Sequence, residues 1–449
     1  MIFRINSLLV PAYLVLCILL GGSAQGVWTN LALQLLGIAL LAWASISPVQ
    51  RTSEERRSIA VGLFVGLTLI VVLLQLIPLP PSLWQKIPGR EGIAAGFAAL
   101  EYPTPALPIS ETPYRSVGAL FSAIPAVAVL FATEKLRASP RAIAGAVIAG
   151  TVLGIILGVV QVGGGRMSWA YLYPISNPGA VGFFANRNHM ATLLLVGIPM
   201  AAALYSSGKS DRSASGKQGV AAALLAVIAL GIVLNGSIAA YGLVIPVALA
   251  SATIVPAGAN WRRLAMPVAG IALVVGVVLL VSRPIAAVEA ESNSQSSIAS
   301  RAEIWATTAE AIRETFPFGT GLGSFQQVYH QQEDPGGVTP FYVNHVHNDY
   351  LEIVLELGVA GATLIALFLA WWVATSIRIW KSPLSTPFAR AGTVATAAVL
   401  AHSVVDFPLR TAAISAIFAA CLGLMGQRLR GSPAIKAGEA RPTRHVTLG

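Results

Sequence analysis

The sequence predicts an all-α, polytopic membrane protein with about twelve transmembrane helices. Three observations lead there. Of 449 residues, 55% are hydrophobic and only 11% charged, less than half of the roughly 25% charge carried by an average soluble domain. Mean hydropathy is +0.72. Apolar runs near the bilayer-spanning length of about 20 residues recur along the whole chain. A water-soluble enzyme, a nucleic-acid binder and a disordered chain all fit this balance poorly, even though the net charge is +10. Cys17 and Cys421 sit in apolar runs at opposite ends, which suggests neither a disulfide framework nor a cysteine metal site.

The runs cover 5–21, 27–47, 59–78, 115–133, 141–162, 183–206, 219–234, 238–256, 264–282, 350–379, 389–405 and 410–427, each bounded by charges or by Gly, Pro and Asn clusters. The first could be read as a signal peptide, because Gly22-Ser23-Ala24 looks like a small-residue cleavage site. Eleven further runs favour an uncleaved first span. The longest connections are 79–114 and 283–349, the second too long for a passive link between helices. The chain thus divides into spans one to nine with loop 79–114 (1–282), a large loop (283–349), spans ten to twelve (350–427) and a basic tail (428–449).

Lys and Arg concentrate on the cytoplasmic side of membrane proteins. With the N-terminus inside, twenty of the twenty-nine basic residues fall in inside segments, among them Arg51, Arg56, Arg57, Lys135, Arg378 and the tail arginines. Both termini are therefore expected in the cytoplasm and the large loop on the external or periplasmic side. The positive balance then reports orientation rather than an acidic partner.

The large loop holds the densest chemistry. Ser300-Arg301-Ala302-Glu303 reads as a capping box opening a helix to about Thr315, ahead of Pro317. Arg301, Trp305, Thr308 and Ile312 would share one face. A guanidinium beside free helix amides suits a phosphate; alternatively Arg301 pairs with a carboxylate and only fixes the loop. Pro317 to Gly323 is glycine-rich, but no strand precedes it and no lysine follows, so it reads as a turn back to the membrane rather than a nucleotide loop. Next comes Asn344-His345-Val346-His347-Asn348-Asp349-Tyr350, where the chain re-enters the bilayer. The two histidines could bind metal with Asp349 or with His330, Glu333 and Asp334, or cap the span as interfacial polar residues. Or one of them is a general base, since the unperturbed imidazole pKa of about 6.5 lies nearest working pH.

Charges also occur inside the spans. Asn186-Arg187-Asn188 opens the sixth, and because an arginine at mid-bilayer costs about 2.5–3.5 kcal/mol on insertion scales, Arg187 should face a polar cavity. His402, Asp406 and Arg410, four apart, would stack on one helical face unless Pro408 breaks the helix. They could lock helices together as ion pairs or meet substrate, with Glu352 and Glu356 as candidate partners for the arginines.

Together these residues resemble the O-antigen ligase and polymerase superfamily of polytopic glycosyltransferases. The resemblance rests on His347-Asn348 followed after nine residues by Gly358-Val359-Ala360-Gly361, on Arg301 with Trp305, on the 317–325 turn, on Asn186-Arg187-Asn188 and on Asp406, in order over roughly 180–425. Ala362 departs from the residue types often found next. It implies transfer of a glycan from an undecaprenyl-diphosphate carrier to an acceptor hydroxyl, at the periplasmic face of a bacterial inner membrane, without nucleotide, cofactor or metal. The family's essential arginine and histidine fall on Arg301 and His347. Arg187 and Arg301 would neutralise the diphosphate, and His347 would take the acceptor proton. Asn348 or Asp349 would hold the imidazole tautomer, and His345 is the reserve base. Asn186, Asn188, Asp406 and Arg410 are the other candidate substrate-binding residues. The expected partners are the lipid-linked donor, lipid A-core or another glycan acceptor, and membrane lipid, with no nucleic acid. A polymerase of repeat units and a protein O-oligosaccharyltransferase share the donor. From another class, a transporter would more naturally show repeated halves and broken helices at the midplane.

Overall fold

The computed structural model describes residues 2–24, 27–47, 55–165, 168–174, 179–207, 214–255, 301–333 and 342–426. The expected ninth run, Ser300 of the capping box, Asp334 and the basic tail lie outside them. Among the described residues the secondary structure is helical, with one isolated bridge between Leu79 and Leu107.

Eleven of the twelve apolar runs coincide with helices. These are α1 (Ile2–Leu20), α2 (Trp28–Ile46), α3 (Glu55–Gln75), α6 (Pro113–Ser122) with α7 (Ile124–Lys135), α8 (Pro140–Gly163), α9 (Arg187–Ser206), α10 (Ala214–Asn235), α11 (Ile238–Ala252), α14 (Asp349–Lys381), α15 (Pro387–His402) and α16 (Ala412–Leu424). Loop 79–114 adds α4 (Pro81–Trp84) and α5 (Glu91–Ala99), and the large loop adds α12, a helix over 301–315, and α13 (Phe325–Gln332). Among the described residues six spans, counting Pro113–Lys135 as one, are long and apolar enough to cross a membrane on their own. The fourth run is divided at Ala123 because Pro125 begins a new helix. The sixth starts at Arg187 rather than 183, since Asn186 caps it by accepting from Asn188 N at 2.9 Å.

The core is built around α9, buried on nearly all sides and packed against α8, α10, α11 and α15. An apolar helix in a membrane can also face lipid, so it is the packing of four neighbours around it that makes α9 the centre of the bundle. Leu14, Cys17 and Ile18 of α1 join this core, as do Ile414, Ile417 and Cys421 of α16. In α14 the helix is interrupted at Gly358 (φ 58°, ψ −140°). There the 317–321 segment inserts: Val359 N donates to Pro317 O at 2.9 Å and Gly321 N to Glu356 O at 2.8 Å. A Cβ on Gly358 would stand 2.1 Å from Pro317 O, so only glycine fits. The glycine-rich segment is a turn, as its sequence indicates, and it pins the large loop to the break in α14.

Candidate functional site

Helix α12 turns Ile304, Thr308, Ala311 and Thr315 inward, a stripe about one position away from the face expected around Arg301 and Ile312. Ile304 and Ala311 pack with Phe325, Val328 and Tyr329 of α13, with Val346 and with Leu355. Trp305 Nε1 donates to Val346 O at 3.0 Å, tying residues 345–347 to α12. Val346 is fully buried between the two histidines, so their rings leave the backbone toward different carboxylates. His345 Nδ1 meets Glu352 Oε1 at 2.8 Å, and His347 Nδ1 lies 3.7 Å from Asp406 Oδ2. His347 adopts φ 55°, a left-handed conformation that costs a non-glycine residue of order 1–3 kcal/mol. Asn348 caps α14, accepting from Tyr350 N at 3.0 Å and Leu351 N at 3.1 Å.

Asp406 is the hub. Helix α15 ends at His402, and a single 3-10 turn spans Pro408–Arg410, so the stacked face expected for His402, Asp406 and Arg410 does not form. Phe407 N donates to Asp406 Oδ1 at 2.8 Å, Asn186 Nδ2 stands 3.4 Å away and His189 Nε2 3.5 Å away. The other oxygen, Oδ2, receives Asn188 Nδ2 and lies 3.7 Å from both Arg301 Nη2 and His347 Nδ1. The carboxylate is fully buried, whereas the Arg301 and His347 side chains keep 24% and 28% exposure. Burial alone would raise the Asp406 pKa, but the His189 and His347 imidazoles facing it outweigh that and hold the group well below the usual carboxylate range. The Phe407 ring separates three imidazoles, with centroids 4.2 Å from His345, 4.9 Å from His347 and 5.0 Å from His189.

A second cluster forms around Arg410. Its guanidinium lies 2.9 Å from Glu356, 3.4 Å from Glu352 and 3.8 Å from Asp349. Glu356 also accepts from Gly323 N at 2.8 Å, Glu352 from Val346 N at 3.1 Å, and Asp349 from Ser403 Oγ at 2.8 Å. Asp349 is thus turned away from His347, and Asp406 occupies the place beside the imidazole that Asn348 or Asp349 was expected to fill. Arg187 is exposed at the start of α9, and no carboxylate among the described residues pairs with it. No group of three or more His, Cys, Asp and Glu among the described residues could hold a metal ion, and His330 pairs with Glu333 at 2.8 Å.

Loop 79–114 joins the site from one side. Glu111 N donates to Thr320 O at 2.8 Å and Ser116 Oγ to Leu322 O at 2.8 Å. Arg90 is buried beside Glu111 at 3.8 Å, and burial raises the Glu111 pKa despite that arginine. A cleft of about 290 Å³ lies here between Gly92, Ile93, Glu111, Glu314 and Gln332, and shares no residue with the Asp406 hub.

Residues 221–366 match the family model described as O-antigen ligase. The match covers less than half of the chain and supports its resemblance to the O-antigen ligase superfamily. The matched segment runs from α10 through the large loop into α14, so it contains Arg301, His345, His347 and the break at Gly358. The family match and the apolar helices together support a multi-pass membrane protein related to glycosyltransferase-like ligases. No curated protein matches the chain. His189 ends the Phe184–His189 motif that opens the sixth run, and its sequence signal, a polar side chain at the start of an apolar run, assigns it no role.

Proposed function

We propose that the protein is an O-antigen ligase that moves a glycan from an undecaprenyl-diphosphate carrier to a hydroxyl of lipid A-core. It acts at the periplasmic face of a bacterial inner membrane, with about twelve spans and both termini in the cytoplasm. The observation that carries this reading is the convergence of Arg301 and His347, each 3.7 Å from one buried Asp406 oxygen. With Nδ1 facing Asp406, the tautomer that carries its proton there leaves His347 Nε2 free as an acceptor. Nε2 takes the proton of the acceptor hydroxyl while its oxygen attacks the anomeric carbon. The bond from that carbon to the diphosphate oxygen breaks, and undecaprenyl diphosphate departs with the electron pair. A diphosphate needs charge neutralisation more than a proton. Arg301 supplies it, with exposed Arg187 at the start of α9 as the second cation. In this reading Asn186 and Asn188 serve substrate indirectly, by gripping Asp406. Arg410 holds the fold through its carboxylates, and Asn348 sets the end of α14. His345, engaged by Glu352, remains the reserve base. His347→Ala should abolish glycosylation of lipid A-core in a deletion strain while the protein still accumulates in the membrane; transfer at the level of the unmodified protein would overturn the base assignment.

A further inference from the structure

We propose that His189 is a positioning residue for the transfer reaction, acting on His347 through Asp406; the role in transfer rests on the function proposed above. His189 is 2% exposed, and neither of its ring nitrogens has a hydrogen-bond partner. A buried imidazole normally spends at least one nitrogen on the fold. This one instead points Nε2 at Asp406 Oδ1 across 3.5 Å, its ring set edge-on to Phe407 at 5.0 Å. The two Asp406 oxygens divide their work. Oδ1 faces the fold's donors, Phe407 N, Asn186 and His189, while Oδ2 faces Asn188, Arg301 and His347. Two imidazoles therefore compete for one carboxylate. A proton donated from His189 Nε2 draws charge toward Oδ1, fixes the rotation of the carboxylate, and leaves His347 less tightly paired with Oδ2. The other groups facing this pair are Arg301 from α12 and His402 from α15. The latter is fully buried, with Nδ1 on Thr192 Oγ1 at 2.8 Å.

The test uses His189→Phe, which keeps a ring against Phe407 but removes the donor, and His189→Gln, which restores an N–H of similar reach. In reconstituted full-length protein, His189→Phe should lower kcat by about 10–100-fold, the usual range for a residue acting through another. KM for the lipid-linked donor should stay within about twofold, the acid limb of the pH–rate profile should move to higher pH, and His189→Gln should recover most of the loss. Independently of transfer, the pH midpoint for carbethoxylation of His347 by diethyl pyrocarbonate should rise in His189→Phe. An unchanged kcat and an unchanged midpoint in His189→Phe would overturn the proposal. His347→Ala serves as the control. Full transfer in that variant with a shifted midpoint in His189→Phe refutes the base assignment while the His189–Asp406–His347 coupling stands. A dead His347→Ala beside an unaltered His189→Phe refutes this inference alone.

Discussion

Asp406 and Arg410 lie four residues apart in the same short connection between α15 and α16, yet they serve opposite neighbourhoods. Around Asp406, one buried carboxylate gathers Arg301 and His347, whose far sides stay open, and the buried His189. Around Arg410, one arginine is enclosed by three carboxylates, at most 3% exposed, that also accept from Gly323 N, Val346 N and Ser403 Oγ. The first cluster leaves positive charge and a ring nitrogen available to a ligand. The second exhausts its arginine internally while stitching α14, the 317–323 turn and the α15–α16 connection together. Charge content alone does not separate a working cluster from a structural one. What separates them is where unpaired hydrogen-bonding capacity remains.

The largest expected effect divides the two clusters. Asp406→Asn keeps an oxygen to accept from Phe407 N but removes the charge and puts an amide where the His347 tautomer is set. Transfer should fall by about 10²–10⁴-fold, the range that a mispositioned or mistautomerised base produces, with little change in the amount of folded protein. The pH dependence has a definite sign. The folded-state pKa of Asp406 lies below its unfolded value of about 3.9. Its stabilising contribution is therefore complete above about pH 4 and is lost as pH falls toward the lowered value. The unmodified protein and Asp406→Asn should thus converge in stability only in strong acid; convergence near neutral pH would argue against an ionised hub.

Arg410→Met should reverse that pattern. Removing the guanidinium strands Glu352, Glu356 and Asp349 without a counter-charge, and breaking a buried ion pair on one side costs about 3–5 kcal/mol. Thermal unfolding in detergent should shift down strongly, while the protein that remains folded keeps most of its transfer rate. A stable Arg410→Met with lost activity would move Arg410 into the working cluster and erase the distinction.

Much of this was legible because it is local. Apolar run length predicts the helices, Pro317 predicts the end of α12, and the glycines of 317–323 predict a turn. The chemistry of Arg301 and His347 follows from their side chains and their place in a long loop. What the sequence left open was assembly over distance. Asn188, Arg301, His347 and Asp406 come from α9, α12, the approach to α14 and the α15–α16 connection. A spacing of four placed Asp406 and Arg410 on one face, but the helix had already ended at His402 and Pro408 starts a separate turn. The sequence assigns His189 no role because nothing local distinguishes a histidine held by apolar packing from one that faces a carboxylate contributed 217 positions later.

The smallest effect tests how finely the hub is placed. Trp305 Nε1 donates to Val346 O at 3.0 Å, and Val346 is the residue that sends His345 and His347 to different carboxylates. Trp305→Phe keeps most of the packing against Ile304 and Val346 but leaves the Val346 carbonyl unpaired. A net hydrogen bond of this kind is worth about 1 kcal/mol. That is enough to let the 345–347 segment drift but not to unfold α12. Transfer should drop by about fivefold, with a small fall in melting temperature and no change in the Arg410 cluster. An effect as large as that of Asp406→Asn would mean that α12 positions the imidazole as strongly as the carboxylate does. No effect would mean that the left-handed backbone at His347 and the Asp406 contact suffice to hold the ring.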